Sequence, residues 1–239
     1  MKTITNVRSI LVTLVPALLS TLPVAAQSQN PHDPNPGIVL TPSSAPGGLT
    51  YGEWSARWFK WAYEPPPALS PVLDLTGANC AVGQSGDVWF LAGPLFPLGT
   101  PVVTRTCTIP AGKMLFFPVG NAFSSAEPDY PDTFANQRKN ATKAARDLRN
   151  FSADLDLFPI NGLHSELEAN YYRALSPEFA FVFGAPNIFG VVAGVYSPAA
   201  ADGVYLMLAP LAPGTHILRF RADLKGGGQI QATYTLTVL

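Results

Sequence analysis

His164, Glu166 and Glu168 fall at every second position of the run 163–169. On a strand, residues two apart share a face, so one imidazole and two carboxylates would project together. Such a set has the chemistry to bind a divalent cation or to exchange protons as an acid and a base. A solvent-facing strand shows the same alternation, with the glutamates opposite Arg219 or Arg221 on a neighbouring strand. That reading is the simpler one, and the sequence assigns no metal and no cofactor. Glycoside hydrolysis would need two acids about 5–10 Å apart across a cleft. Asp74, Asp87, Glu127 and Glu166 qualify by residue type alone. The common catalytic signatures are absent from the sequence: there is no H-E-x-x-H, no P-loop and no G-x-G-x-x-G opening a helix. Gly83-Gln84-Ser85-Gly86-Asp87 places aspartate where a nucleophile elbow needs its last glycine. The histidines are His32, His164 and His216, too few for a His-rich metal site.

Trp54, Trp58 and Trp61 recur at i, i+4 and i+7, the spacing of one helix face. Exposed, the rings would form a stacking platform for a sugar or an interfacial anchor. Buried, they would pack a helix against an open edge or end of the fold. Contiguous exposed aromatic patches are uncommon on soluble monomers, which favours packing. Candidate ligand-contacting positions are therefore Trp54, Trp58, Glu127, His164, Glu166 and Glu168.

The elements that would carry these residues follow from local signals. Thr50 and Glu53 form a capping box, and Pro65-Pro66-Pro67 stops the chain, giving a helix over about 50–63. A second helix is expected over 132–150, capped by Asp132 or Thr133 and ended by Asn150, with a thin apolar side of Phe134, Ala141, Ala145 and Leu148. Its basic residues, among them Arg138 and Lys143, read as a solvated face. Strands are expected at 87–91, 102–107 and 114–119. In the second of these Val103, Arg105 and Cys107 share one face while Val102, Thr104 and Thr106 share the other. Asn121 to Pro131 reads as a polar loop. Asn161-Gly162 predicts a hairpin between 154–160 and 163–169. Phe179–Phe183 and Val191-Val192 are further strand candidates. Residues 204–208, 216–224 and 230–238 read as a C-terminal meander, the last strand with Ile230, Ala232, Tyr234, Leu236 and Val238 facing in. Lys225-Gly226-Gly227-Gly228 turns between its final two strands.

The chain has 239 residues, 47% hydrophobic and only 13% charged, with 24 prolines and 20 glycines. This is a β-rich composition of short strands and frequent turns. Residues 1–26 resemble a secretory signal: Lys2 and Arg8 precede an apolar run from Ile10 to Leu22, and Val24-Ala25-Ala26 offers a cleavage site. Removing Lys2 and Arg8 takes the net charge from −1 to −3 (−1 − 2). That weak charge excludes electrostatic capture of nucleic acid or of an anionic membrane. Residues 27–48 carry Pro31, Pro34, Pro36, Pro42 and Pro46 and read as a linker. Residues 49–239 are then one domain. Its two cysteines, Cys80 and Cys107, read as one structural disulfide, since they lack the C-x-x-C spacing of a zinc site. The fold expected is a single jelly-roll-like β-sandwich with two accessory helices and that disulfide.

Several segments resemble a group of exported bacterial proteins. They are Tyr51-Gly52-Glu53-Trp54-Ser55-Ala56-Arg57-Trp58, Gly77-Ala78-Asn79-Cys80 through Gly93, Pro110-Ala111-Gly112-Lys113 with Phe116-Phe117-Pro118-Val119 and Asn121, and Pro210-Leu211-Ala212-Pro213-Gly214-Thr215-His216. The resemblance spans most of residues 50–239. It implies export and one domain, and it carries over no catalytic residue. The function expected is a non-catalytic, secreted or periplasmic protein that binds a polysaccharide or another envelope polymer. An extracellular hydrolase or lyase, dependent on carboxylates or a metal, is the first alternative, and an assembly module acting through a strand edge is the second.

Overall fold

Residues 114–119, Met-Leu-Phe-Phe-Pro-Val, contain no polar side chain. A strand without a polar face has to be covered on both sides. The computed structural model, which describes residues 33–95, 101–163 and 169–239, covers it with a helix on one side and a second sheet on the other. The expected signal segment 1–26 lies outside the described residues.

The first sheet contains β1 (Val88–Phe90), β3 (Met114–Ser125), β6 (Arg173–Leu175), β7 (Phe179–Phe183) and β8 (Gly194–Leu208). Its order is β1-β3-β8-β6, and β7 also pairs with β8. The second sheet runs β2 (Val102–Ile109), β10 (Gln229–Val238), β9 (Gly214–Leu224), β4 (Leu148–Leu155) and β5 (Phe158–Pro159). β1 pairs with β3, and β2 with β10, in parallel; the other pairings are antiparallel. Phe117 meets Phe220 between the sheets at 4.7 Å, while Phe116 points the other way onto Tyr51 at 5.6 Å and Tyr205 at 5.4 Å. The protein is thus a mainly β sandwich with two accessory helices and the Cys80–Cys107 disulfide, whose Cα atoms lie 5.8 Å apart.

The first helix, α1 (Tyr51–Tyr63), has the capping box its sequence spells: Thr50 accepts from Glu53 N, and Glu53 accepts from Thr50 N. It is buried nearly all round, as a helix between sheet and loops must be. A side chain at Gly52 would meet the Leu175 carbonyl at 2.3 Å, so glycine is what lets α1 seat on β6. The second helix, α2, spans only Phe134–Ala145 rather than 132–150. Residues from Leu148 onward join β4, because Phe151 and Ala153 then alternate into the core. Both helices pack on the first sheet.

Other expectations change as well. A hairpin turns at Asp156-Leu157, both at positive φ, inside the run 154–160 expected as one strand, while most of the expected partner run 163–169 lies outside the described residues. Asn161 is engaged elsewhere: its N–H donates to Asn35 Oδ1 at 2.8 Å, and its carbonyl accepts from Asn35 Nδ2 at 2.9 Å. The C-terminal meander is divided, since β8 belongs to the first sheet and only β9 and β10 pair in the second. Residues 121–125 are strand rather than loop, drawn in by Phe123 packing among Phe59, Tyr63 and Phe181. Val191-Val192 lie outside any strand. Within the Pro-rich segment expected as a linker, Asn35 and Val39 are buried, and Val39 bridges to Leu208.

Side chains close two of the strand edges, those of β1 and β7. Gln84 brackets β1, accepting from Phe90 N at 2.9 Å and donating to Phe90 O at 2.8 Å. On β7, Lys60 donates to Ala180 O at 2.9 Å and Glu64 accepts from Val182 N at 3.0 Å, while the two pair with each other at 2.5 Å. An ion pair of α1 thereby imitates a further strand, a device that blocks edge-to-edge association.

Candidate functional site

The expected ligand-contacting residues do not converge among the described residues. Trp54 and Trp58 are 8% and 1% exposed, and each indole N–H is satisfied internally, by Pro46 O at 2.8 Å and Leu91 O at 2.9 Å. Trp61 does the same with Val82 O at 2.8 Å. The three rings pin three irregular segments onto α1 and face no solvent platform. Glu127 is exposed in a turn with Tyr130. His164, Glu166 and Glu168 lie outside the described residues. Among the described residues no group of three His, Cys, Asp or Glu side chains is placed to hold a metal.

Of the other acids considered, Asp87 is exposed beside Lys113 at 4.0 Å. Asp74 organises the disulfide loop. It accepts from Thr76 N at 2.8 Å and Thr76 Oγ1 at 3.0 Å through one oxygen, and from Asn79 N at 2.8 Å through the other. Burial pushes its carboxyl upward, but the backbone hydrogen bonds from Asn79 and Thr76 outweigh that and hold it below its ordinary value. Asp74 is a loop clasp rather than a reacting acid.

The surface that the fold leaves open is the outer face of the second sheet. Strand alternation sends Val103, Arg105, Cys107 and Ile109 of β2 inward and the residues between them outward. The same alternation in β10 buries Ala232, Tyr234, Leu236 and Val238. The parallel register then aligns the outward residues in rows. Thr104 stands beside Thr233, Thr106 beside Thr235, and Thr108 beside Thr237. On the next strand the rows continue to Arg219, Ile217 and Thr215. The face is therefore zoned. One end is a ladder of threonine hydroxyls and methyls. The other holds Arg219 facing Asp154, and Arg221 paired with Asp223 at 3.1 Å, with Ser152 and Gln231 between. Sequence reasoning found the outward threonines of both strands but not their register, because parallel pairing between residues so far apart leaves no local signal.

The ladder is bounded on the β2 side by the loop that bears Cys80. Three ties press this loop onto the strand: the disulfide to Cys107, the bond from Thr106 N to Thr76 O at 2.8 Å, and Gly77 at φ +91°. A side chain at Gly77 would meet Thr106 O at 2.0 Å. Between loop and ladder lies a trough of about 350 Å3.

No protein-family model and no curated protein matches the chain. A solved structure described as "Structure of PbICP-C in complex with falcipain-2" aligns over 64% of this chain and 100% of that one, at 10% identity and a TM-score of 0.28. A likeness that weak supports no argument about this chain. Among the described residues no helix is long and apolar enough to cross a membrane.

Proposed function

We propose that the chain is an exported, non-catalytic protein that binds an extracellular polysaccharide or envelope polymer through the outer face of its second sheet. The observation that carries this reading is the face itself. Helices and the first sheet occupy the other broad surfaces, whereas here rows of hydroxyl, amide and guanidinium groups stand exposed on β2 and half-exposed on β10 among the described residues. Those groups are the donors and acceptors that a polyhydroxylated chain requires. Export is supported by the signal-like composition of residues 1–26, by the disulfide, which persists in oxidising compartments, and by the resemblance to exported bacterial proteins. The placement is secreted or periplasmic.

The test is retention of the exported protein on an array of immobilised neutral and anionic polysaccharides. Binding to at least one, reduced by substitutions on this face such as Arg219→Gln or Thr233→Val, is the expected result. Retention on none of them removes the reading.

A further inference from the structure

The trough beside the disulfide loop is lined differently from the rest of the open face. Its floor is Thr106, Thr108, Thr235 and Thr237, and its wall carries Ala78 and Ala81. Nothing ionisable lines it: the charged rows begin at Arg219 and Arg221, toward the other end of the sheet. Both wall alanines are exposed, as are Thr106 and Thr108. A volume of about 350 Å3 lies at the small end of the range for ligand sites.

Threonine suits strands for its branched Cβ alone, so a threonine-rich strand is not in itself a site. Three further observations go beyond that. Thr-x-Thr-x-Thr occurs on β2 and again on β10, and the parallel register sets the two runs side by side without an offset. Neighbouring hydroxyls then repeat at about 4.8 Å across strands and about 6.7 Å along them. No hydrogen bond within the described residues occupies these hydroxyls. Lastly, the wall is held at a fixed height by the disulfide, by Gly77 and by the Asp74 clasp, so the trough is built rather than incidental.

We infer that this trough is a binding site for a neutral polysaccharide strand, lying along β2 and β10. This rests on the polymer-binding reading and names its ligand class. Trough and sugar are chemically complementary. Each threonine hydroxyl both donates and accepts, as each sugar hydroxyl does. β-Branched side chains are stiff at χ1, so little rotamer freedom is lost on binding. The methyl groups and the wall alanines offer apolar contact to the ring faces. An anionic polymer would find no cation here and would leave the hydroxyl rows unused.

The experiment is affinity electrophoresis of the full exported protein through gels containing hydroxyethylcellulose, laminarin or dextran as neutral probes, and alginate or hyaluronate as anionic ones, at low and high salt. The variants are Thr106→Val with Thr235→Val, which keep shape and strand propensity, and Ala81→Gln, which narrows the trough. Lys139→Gln, on the exposed side of α2, is the control. Circular dichroism and thermal melting confirm that each variant folds. The expected result is salt-independent retardation by a neutral probe, weakened about tenfold or more in the threonine double variant, weakened also in Ala81→Gln, and unchanged in Lys139→Gln. Retardation by a neutral probe that the folded trough variants leave intact overturns this inference and leaves the polymer-binding reading standing. So does salt-sensitive retardation by alginate or hyaluronate alone. Retardation by no probe overturns both.

Discussion

Arg105 carries its charge where only 1% of its surface meets solvent. Its Nε donates to Asp74 O at 2.7 Å, and its Nη1 donates to Ala92 O and to the Tyr234 hydroxyl, the latter at 2.9 Å. The guanidinium lies 5.7 Å from the Tyr234 ring. Two irregular segments thus turn carbonyls inward, and one planar fork satisfies them both, which a lysine's single ammonium would not match. Arg105→Met is expected to lower unfolding free energy by about 3 kcal/mol or more, since it strands several buried acceptors; urea denaturation measures it. His216 makes the second prediction at this scale. Its Nδ1 lies 2.7 Å from Asp156 Oδ2 and its Nε2 lies 2.9 Å from Ala212 O. Both neighbours only accept, so the ring satisfies both contacts only as an imidazolium, with both nitrogens donating. The bond to Asp156, aided by Ala212, raises the His216 pKa. Burial pushes Asp156 upward, but its bonds to His216 and Ile217 N outweigh that and lower it. The histidine's contribution to stability is complete below its ordinary value near 6.5 and is lost as pH rises through the raised one. The aspartate's is complete above its ordinary value near 3.8 and is lost as pH falls through the lowered one. Melting temperatures at pH 5 and pH 9 (about two units either side of neutrality) are expected to show a loss at the higher pH that shrinks in His216→Gln. An identical loss in that variant would refute the imidazolium.

Elements in this protein hold one another through side chains that take the place of backbone. The three indoles of α1 anchor the segments at Pro46, Val82 and Leu91, so this helix is the post to which the irregular half of the chain is tied. The Lys60–Glu64 pair serves β7 in the same way, capping Ala180 O and Val182 N beside an exposed Val182. Removing it by Lys60→Ala with Glu64→Ala is expected to reduce stability by only about 1 kcal/mol, as suits partly exposed charges. The larger effect is on association. An uncapped edge carrying an exposed valine is a template for pairing. Light scattering is expected to show concentration-dependent self-association of the double variant; a strictly monomeric one would mean that the cap does not guard that edge. The turn at Asp156-Leu157 shows the same logic. Two residues in the left-handed region match the twist of a hairpin, and Asp156 secures them through Ile217 N at 2.7 Å and through His216.

At the scale of the whole molecule, the disulfide closes a loop between residues 27 apart that contains β1 and ties it to β2. Reduction is expected to lower stability by about 3–4 kcal/mol in the chain-entropy account, read as a fall in the denaturant midpoint with and without a thiol reductant; no change would show that the Trp-pinned loops suffice alone. The layers around that staple explain which features are readable from composition and spacing. The capping box, the Pro65-Pro66-Pro67 stop, the alternation of β2 and β10 and the glycine turn at 226–228 all arise from sterics and hydrogen bonds within a few residues, so the sequence alone determines them. That Arg105 shares the face of Val103 and Cys107 follows from that alternation as well, whereas its burial is a fact of the packed sheets. Pairing is another matter. The chain from Leu148 could extend α2 by its local pattern, yet the second sheet claims it because Phe151 and Ala153 then reach the core. Asp156-Leu157 is the weaker turn signal in isolation, yet a hairpin turns there, and Asn161 bonds Asn35, 126 residues away. That β8 leaves the meander, that β2 and β10 run parallel, and that their threonines share rows are decisions of tertiary structure. Each depends on contacts between residues distant in the chain, whose free energy appears only once both partners are in place.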